Sequence, residues 1–219
     1  MASVESRPQQ SQQRGYEGLT PGRVEAFSDG IFAIAATLLI LNVQLPHEAA
    51  GGELGRQLLD LWPSYVAYGA SFVTIGVMWL NHHALFARVA RVDRTLVGLN
   101  LFMLGVIAFL PFPTQVLGTR IGVPDEATPA ALLYAITGIL IAFGYSGVYL
   151  WIGTHHELLH ERFADVNYLS NAPRFLIGTI GYAGCIPLAF FYPPAAVLVI
   201  IAIVLYYSRD QLPQPRTPT

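Results

Sequence analysis

The sequence predicts an all-α, polytopic membrane protein with six transmembrane helices. Its 219 residues are 53% hydrophobic and only 12% charged, which makes the chain far more apolar than a soluble domain. The apolar residues are gathered into runs, and most runs approach the roughly 20 residues that cross a bilayer core. We therefore predict one transmembrane domain over residues 21–208, between polar tails at residues 1–20 and 209–219.

The first apolar run extends from Ala26 to Leu45, and no charge lies between Asp29 and His47. This length is sufficient to span a bilayer. An acid inside the membrane costs about 2.5 to 3.5 kcal/mol even on lenient insertion scales, so Asp29 needs a partner and should face protein or water. The alternative places Asp29 at the level of the lipid headgroups.

The same helix has an apolar stripe. At 100° per residue, Ile34, Leu38 and Leu41 fall on one face, with Thr37 at its margin. Asp29 points about 140° away from Ile34. One face of the helix can therefore hold the subunit together while another faces something else.

Five further apolar runs follow, at residues 62–86, 95–117, 130–152, 174–192 and 195–207. Pro111 and Pro113 predict a kink or an early exit in the third run. The sixth run is shorter than the usual lower limit of about 17 residues for a spanning helix, so a re-entrant or interfacial segment is an alternative there.

The arginines predict the orientation. The chain has twelve basic residues, all of them Arg, and a six-span arrangement leaves only Arg56 and Arg120 on the side opposite to the tails. This bias places both termini in the cytoplasm. A five-span arrangement would move the C-terminal arginines outside and fits less well. Because residues 1–20 are polar and rich in Gln and Ser, we predict that they form a disordered cytoplasmic tail.

The start of the first helix resembles a known signature. Arg23-x-x-x-Phe27-Ser28-Asp29, followed by Gly-Ile-Phe-Ala-Ile-Ala-Ala-Thr-Leu-Leu, is similar to the motif of the transmembrane protein 175 family. Members are potassium-permeable channels of endosomes and lysosomes in animals and of the plasma membrane in prokaryotes. The resemblance implies a homotetramer of six-helix subunits in a prokaryotic plasma membrane, with a central pore lined by the first helix and no carbonyl selectivity filter.

The resemblance also implies which residues narrow the pore. The apolar constrictions of the family match Ile34, Leu38 and Leu41, with Thr37 beside them. The permeating ion would be K⁺, and no bound cofactor is expected. The partners would be further copies of the chain and membrane lipid.

A polar clamp is predicted near the cytoplasmic side. Helices one and two run antiparallel, so Asp29 should lie at the depth of His82 and His83, with Asn100 of the third helix at the same level. Such a network could sense pH or gate the pore, but interhelical hydrogen bonds alone explain it, and we favour a packing clamp. The predicted clamp residues are Arg23, Phe27, Ser28, Asp29, Trp79, His82, His83 and Asn100.

One motif suggests an enzyme instead of a channel. His156-Glu157-Leu-Leu-His160 is a literal H-E-x-x-H, which on a helix could bind zinc with Glu157 as the base of a metalloprotease. A third ligand would be needed. From residue 166 to 208 the only Asp, Glu, His or Cys is Cys185, and Asp165 would lie on the wrong side of a continuous helix. We therefore predict a polar juxtamembrane loop, no metal site and no enzyme.

The sequence disfavours two further functional classes. A secondary transporter would want a polar site near the midplane on broken helices, whereas the first helix has bulky aliphatic residues there. A nucleic-acid partner is not expected, because a net charge of −2 provides no basic field.

Overall fold

The computed structural model describes residues 19–45, 54–209 and 212, and all regular elements in this part of the chain are helical. The predicted disordered tail, up to residue 18, lies outside the described residues. The α-helices of the described ranges are α1 (Pro21–Leu38), α2 (Leu54–Asp60), α3 (Trp62–Phe86), α4 (Arg94–Phe109), α5 (Pro111–Arg120), α6 (Ala127–Thr154), α7 (Glu161–Ala164), α8 (Ala172–Phe191) and α9 (Pro193–Tyr207).

The first helix starts earlier than its apolar run. Pro21 occupies the first helical position, where a missing N–H costs nothing and the fixed φ angle favours the helix. At the other end, α1 tightens into a 3₁₀ turn over Leu39–Asn42. Val43 then leaves the helix with an extended backbone. The helix therefore begins in the polar segment and ends before the apolar run does.

The third apolar run is bent, as its prolines predict. Pro111 has no N–H to donate to the preceding turn, so α4 ends at Phe109 and α5 begins at Pro111. The backbone N–H of Leu110 bonds to the carbonyl of Ile107 at 3.1 Å instead, which tightens the junction. The chain then continues to Arg120 as one bent, apolar segment.

Three segments of the described chain are long and apolar enough to cross a membrane: Pro21–Asn42, Arg94–Arg120 and Ala127–Thr154. Two apolar stretches are shorter, Ile177–Phe191 and Val197–Tyr207. The remaining long helix, α3, has 25 residues but carries Asn81, His82 and His83 near its end. The count of six spans therefore stays a prediction.

The helices pack into one core. Helix α6 contacts α4, α5, α8 and α9, while α3 contacts α1, α5 and α9. Large side chains of several helices are fully buried between them, among them Met103, Ile107, Tyr134 and Ile141. Between apolar surfaces in lipid, close packing rather than the hydrophobic effect drives association.

The loops after α3 and after α6 fold onto each other. Val89 and Leu159 form an isolated antiparallel bridge, and the backbone N–H of His160 donates to the carbonyl of Arg88 at 3.0 Å. The side chain of Arg91 donates to the Glu157 carbonyl at 3.1 Å. The loops after α3 and after α6 therefore lie on the same side of the bundle.

Close contacts between α6 and α8 depend on a glycine. A Cβ atom added at Gly138 would lie 2.4 Å from the ring of Tyr182, and Tyr182 is 3% exposed. Small residues at such sites let helix backbones approach closely in a membrane. The ring would have to shift to admit the added atom.

We expect Gly138→Ala to lower the free energy of unfolding by about 1–3 kcal/mol, because the added methyl group overpacks the core. Thermal unfolding of the purified protein in detergent measures this loss. The matched control is Gly184→Ala in α8, where an added Cβ meets no atom within 4 Å. Equal melting temperatures for the two variants would contradict the assignment of Gly138 to a packing contact.

Candidate functional site

Helix α1 buries one face. Val24, Ser28, Phe32, Ala35 and Leu39 are all at most 5% exposed, and they recur every three or four residues. This spacing produces a continuous face along a helix. The buried face packs against α3 and α4.

The other face of α1 is apolar and is not covered by the described part of the chain. Phe27, Ile34, Leu38 and Leu41 are between 41% and 58% exposed. Thr37 is also exposed, and its hydroxyl donates to the Ile34 carbonyl at 2.9 Å. All four predicted constriction residues therefore share the exposed side of the helix.

The 3₁₀ turn aligns the end of this stripe. From Ile34 to Leu38 the α-helix rises about 6 Å, at 1.5 Å per residue. From Leu38 to Leu41 the 3₁₀ turn also rises about 6 Å, and residues three apart are eclipsed in this geometry. Ideal 3₁₀ geometry therefore places Leu41 above Leu38, at the same axial spacing as that from Ile34 to Leu38.

A chain of buried hydrogen bonds holds the opposite face. The Ser28 hydroxyl donates to the Val24 carbonyl at 2.8 Å and accepts from the Asn100 amide at 3.0 Å. The amide oxygen of Asn100 therefore faces Nε2 of His82, at 2.9 Å, and that nitrogen must donate. All three side chains are at most 1% exposed, so the chain ties α1, α3 and α4 together inside the protein.

The orientation of His82 follows from this chain. Nε2 donates to Asn100, and Nδ1 has no hydrogen-bond partner among the described residues. The ring stacks on Phe86 with the centroids 4.3 Å apart and contacts Phe32 at 5.4 Å. The arrangement fits a neutral imidazole that fills an aromatic site and provides one donor.

A second, more exposed set of contacts joins α1 to α3. The indole N–H of Trp79 donates to the Asp29 carboxylate at 2.9 Å. Glu25 lies one turn earlier in α1, and its carboxylate is 2.6 Å from Nδ1 of His83. Because α1 and α3 are antiparallel, Glu25 and Asp29 on α1 face His83 and Trp79 on α3, and the members of each pair are four residues apart. We call these two contacts the ladder.

The ladder differs from the sequence-based expectation for Asp29. A histidine or Asn100 was expected as its partner, whereas the structure has Trp79, because His82 points towards α4 and His83 pairs with Glu25. Glu25 and Asp29 are four residues apart on one side of α1. This spacing is the signal that could have identified Glu25 as a second acidic residue in the contact with α3.

Two predicted clamp residues lie away from these contacts. Arg23 is exposed in the first turn of α1, where its backbone N–H donates to the Thr20 carbonyl at 3.0 Å. Phe27 is 55% exposed on the same side as Ile34. Their roles in the clamp stay predictions.

The H-E-x-x-H segment does not form one helix. His156 lies in a 3₁₀ turn, Leu159 is extended, and His160 precedes α7. The ring nitrogens of His156 lie 2.5 Å from the Ala164 carbonyl and 2.8 Å from the Gly153 carbonyl. Within the described ranges, no three His, Cys, Asp or Glu side chains are grouped as metal ligands. The geometry that the protease alternative requires is therefore lacking there.

Comparisons with known proteins agree on one family. Residues 23–111 match the family model described as endosomal/lysosomal potassium channel TMEM175. A potassium channel of Streptomyces collinus is 39% identical over 194 residues, which cover 89% of this chain and 94% of that protein. An endosomal/lysosomal proton channel TMEM175 of Gallus gallus is 46% identical over 107 residues, which cover 45% of this chain and 21% of that protein.

A solved structure shows the same fold. The crystal structure of a lysosomal potassium-selective channel TMEM175 homolog from Chamaesiphon minutus superposes with a TM-score of 0.74 at 34% identity. The match covers 85% of this chain and 95% of that one. The similarity therefore includes nearly the whole helical domain and not only the first helix.

We expect Asn100→Leu to destabilise the protein by about 1–3 kcal/mol, because it leaves the buried His82 donor without an acceptor. The melting temperature and the yield of intact protein on size exclusion in detergent measure this effect. Trp79→Phe is the control, since it removes a bond in the exposed ladder and should cost less. If Trp79→Phe proved as damaging as Asn100→Leu, the buried chain would not be the principal tie.

Proposed function

Because this chain belongs to the TMEM175 family of potassium channels, we propose that copies of it assemble into a potassium-permeable pore lined by α1. The protein is a multi-pass membrane channel and not an enzyme. The observation that supports the pore assignment is the exposed apolar stripe of Ile34, Leu38 and Leu41 on a helix whose other face is buried.

A homotetramer gives this stripe its function. Around a four-fold axis, each residue of α1 meets its equivalents from the other subunits at one level and forms a ring. Rings of Ile34, Leu38 and Leu41 make apolar collars, and such collars gate by dewetting, because hydrocarbon cannot replace the hydration shell of an ion. Thr37 adds a hydroxyl between two of the collars.

The collars set the kind of selectivity. A carbonyl filter replaces the water around K⁺ atom by atom, but an aliphatic ring cannot. The open pore must therefore admit a partly hydrated ion. We propose a moderate rather than extreme preference for K⁺ over Na⁺.

A secondary transporter is the weaker alternative. Carriers bind substrate on discontinuous helices with polar groups near the midplane. Here α1 is continuous from Pro21 to Leu38, and its exposed side carries aliphatic residues. This arrangement supports the channel.

We also propose six spans with both termini in the cytoplasm of a prokaryotic cell, and residence in the plasma membrane. The contact between the loops at Val89 and Leu159 supports this topology, because two spans must separate loops on one side. Exposed apolar residues such as Ile180, Phe190 and Leu198 would contact lipid.

We expect Ile34→Asn to raise the current and weaken the preference for K⁺, because an amide ring wets the collar. Planar-bilayer recording in a K⁺/Na⁺ gradient measures both the conductance and the reversal potential. Leu198→Asn is the matched control, since Leu198 is 68% exposed on α9 and should change neither quantity. Were Ile34→Asn to leave conductance and reversal potential as they are, α1 would not be the pore helix.

The topology is tested by labelling. In a Cys185→Ala background, which removes the single native cysteine, a cysteine placed after Arg209 should react with an impermeant maleimide only after the cells are permeabilised. A cysteine placed in the loop at Gly122 should react in intact cells, since that loop follows α5 on the opposite side. Labelling of the first cysteine from outside would refute the six-span arrangement.

A further inference from the structure

The outer end of α1 has its own attachment to the bundle. The side-chain amide of Asn42, the last residue of the 3₁₀ turn, donates to the carbonyl of Pro111 at 2.7 Å. Pro111 is the first residue of α5, at the point where the third apolar segment bends. Leu39 beside it is fully buried. The end of the pore helix is thus fastened to the kink of another helix.

The bond fastens a turn whose own hydrogen bonds are weak. The geometry of 3₁₀ hydrogen bonds is poorer than that of the α-helix, and such turns are frequent at helix ends. The turn here has four residues, directly after the α-helical stretch. An attachment outside the helix can hold the turn in this form, and Asn42 provides one.

The helix type determines where Leu41 points. If residues 39–42 returned to α-helical geometry, three steps of 100° instead of 120° would turn Leu41 by about 60°, and it would move about 1.5 Å along the axis. Leu41 would then no longer stand above Leu38. The height and direction of the outermost collar therefore depend on the geometry of this single turn.

We propose that Asn42 is a positioning residue for the outer constriction: its bond to the Pro111 carbonyl keeps the last turn of α1 in 3₁₀ form and so fixes the height and direction of Leu41. The inference rests on the proposed role of α1 as the pore helix. Asn42 does not itself contact the ion; it acts through Leu41.

A competing cause is local capping. The side chain of Gln44 donates to the Leu41 carbonyl at 2.6 Å, a bond within the same turn. Gln44 is exposed, so water can replace its amide at that carbonyl. The amide of Asn42, in contrast, is partly buried and reaches a residue 69 positions away. The two side chains can therefore be separated by substitution.

The test measures access to position 41. In the Cys185→Ala background, Leu41→Cys should react with an externally applied methanethiosulfonate, and the reaction should block the current. In the Leu41→Cys channel, the added change Asn42→Leu should slow the block by up to about fivefold, the factor that one net hydrogen bond represents. In the channel that keeps Leu41, Asn42→Leu alone should shift the K⁺/Na⁺ reversal potential. Asn42→Gln, which keeps the donor, should restore both values in part, and Gln44→Leu should leave both unchanged.

Each result decides one question. If the current through Leu41→Cys with native Asn42 is not blocked, the pore assignment of Leu41 fails. If block occurs at the same rate with Asn42→Leu, the pore assignment stands and the role of Asn42 is refuted. Equal slowing by Gln44→Leu would assign the effect to the local cap instead. Should Asn42→Leu fail to assemble, Asn42→Asp, which keeps the shape and removes the donor, replaces it, and an unchanged rate there likewise refutes the proposal.

Discussion

The hydrogen-bonded chain of Ser28, Asn100 and His82 is the interaction on which the arrangement of the first helix depends. Each group bonds to the next inside the bundle, and a buried polar group without a partner costs more than a bond contributes. Rotating α1 about its axis would break the bond between Ser28 and Asn100 and leave that buried N–H of the Asn100 amide without its acceptor. Because one face is fixed in this way, the aliphatic side chains of the other face cannot turn inward, and they remain available to line a pore.

Much of this arrangement can be read from the residues. The bounds of α3 coincide with its apolar run, and the bend at Pro111 follows from a missing donor. The exposed stripe on α1 follows from helical periodicity, although its place at a pore came from resemblance and stays a proposal. The partner of Asp29 could not be read, because Trp79 and His83 lie one turn apart on the same face of α3, and the depth at which α1 and α3 pack decides which of them meets it. The bond between Asn42 and Pro111 could not be read either, because the two residues are distant in sequence.

The H-E-x-x-H segment shows why a motif needs its backbone. The spacing brings two histidines onto one face only if all five residues are α-helical. Helix α6 ends at Thr154, and the carbonyls of Gly153 and Ala164 then surround the ring of His156. Both nitrogens that a metal could use face oxygen atoms, so the side chain joins the loop to the end of α6. In the middle of an α-helix, the same five residues would have placed both histidines on one face, as a metal site requires.

The length of α9 has a consequence for the surrounding lipid. Its 15 residues measure about 22 Å along the axis at 1.5 Å per residue, whereas the hydrocarbon core of a bilayer is about 30 Å thick. A short helix is accommodated by local thinning of the bilayer or by flanking side chains that reach the interface. Tyr206 at the end of α9 is placed for the second role, whereas the Tyr207 hydroxyl accepts from the Gly178 N–H of α8. If α9 spans the membrane, the side of the bundle formed by α9 should deform the bilayer more than the sides formed by longer helices, and acyl-chain length becomes a variable that acts on this protein from outside.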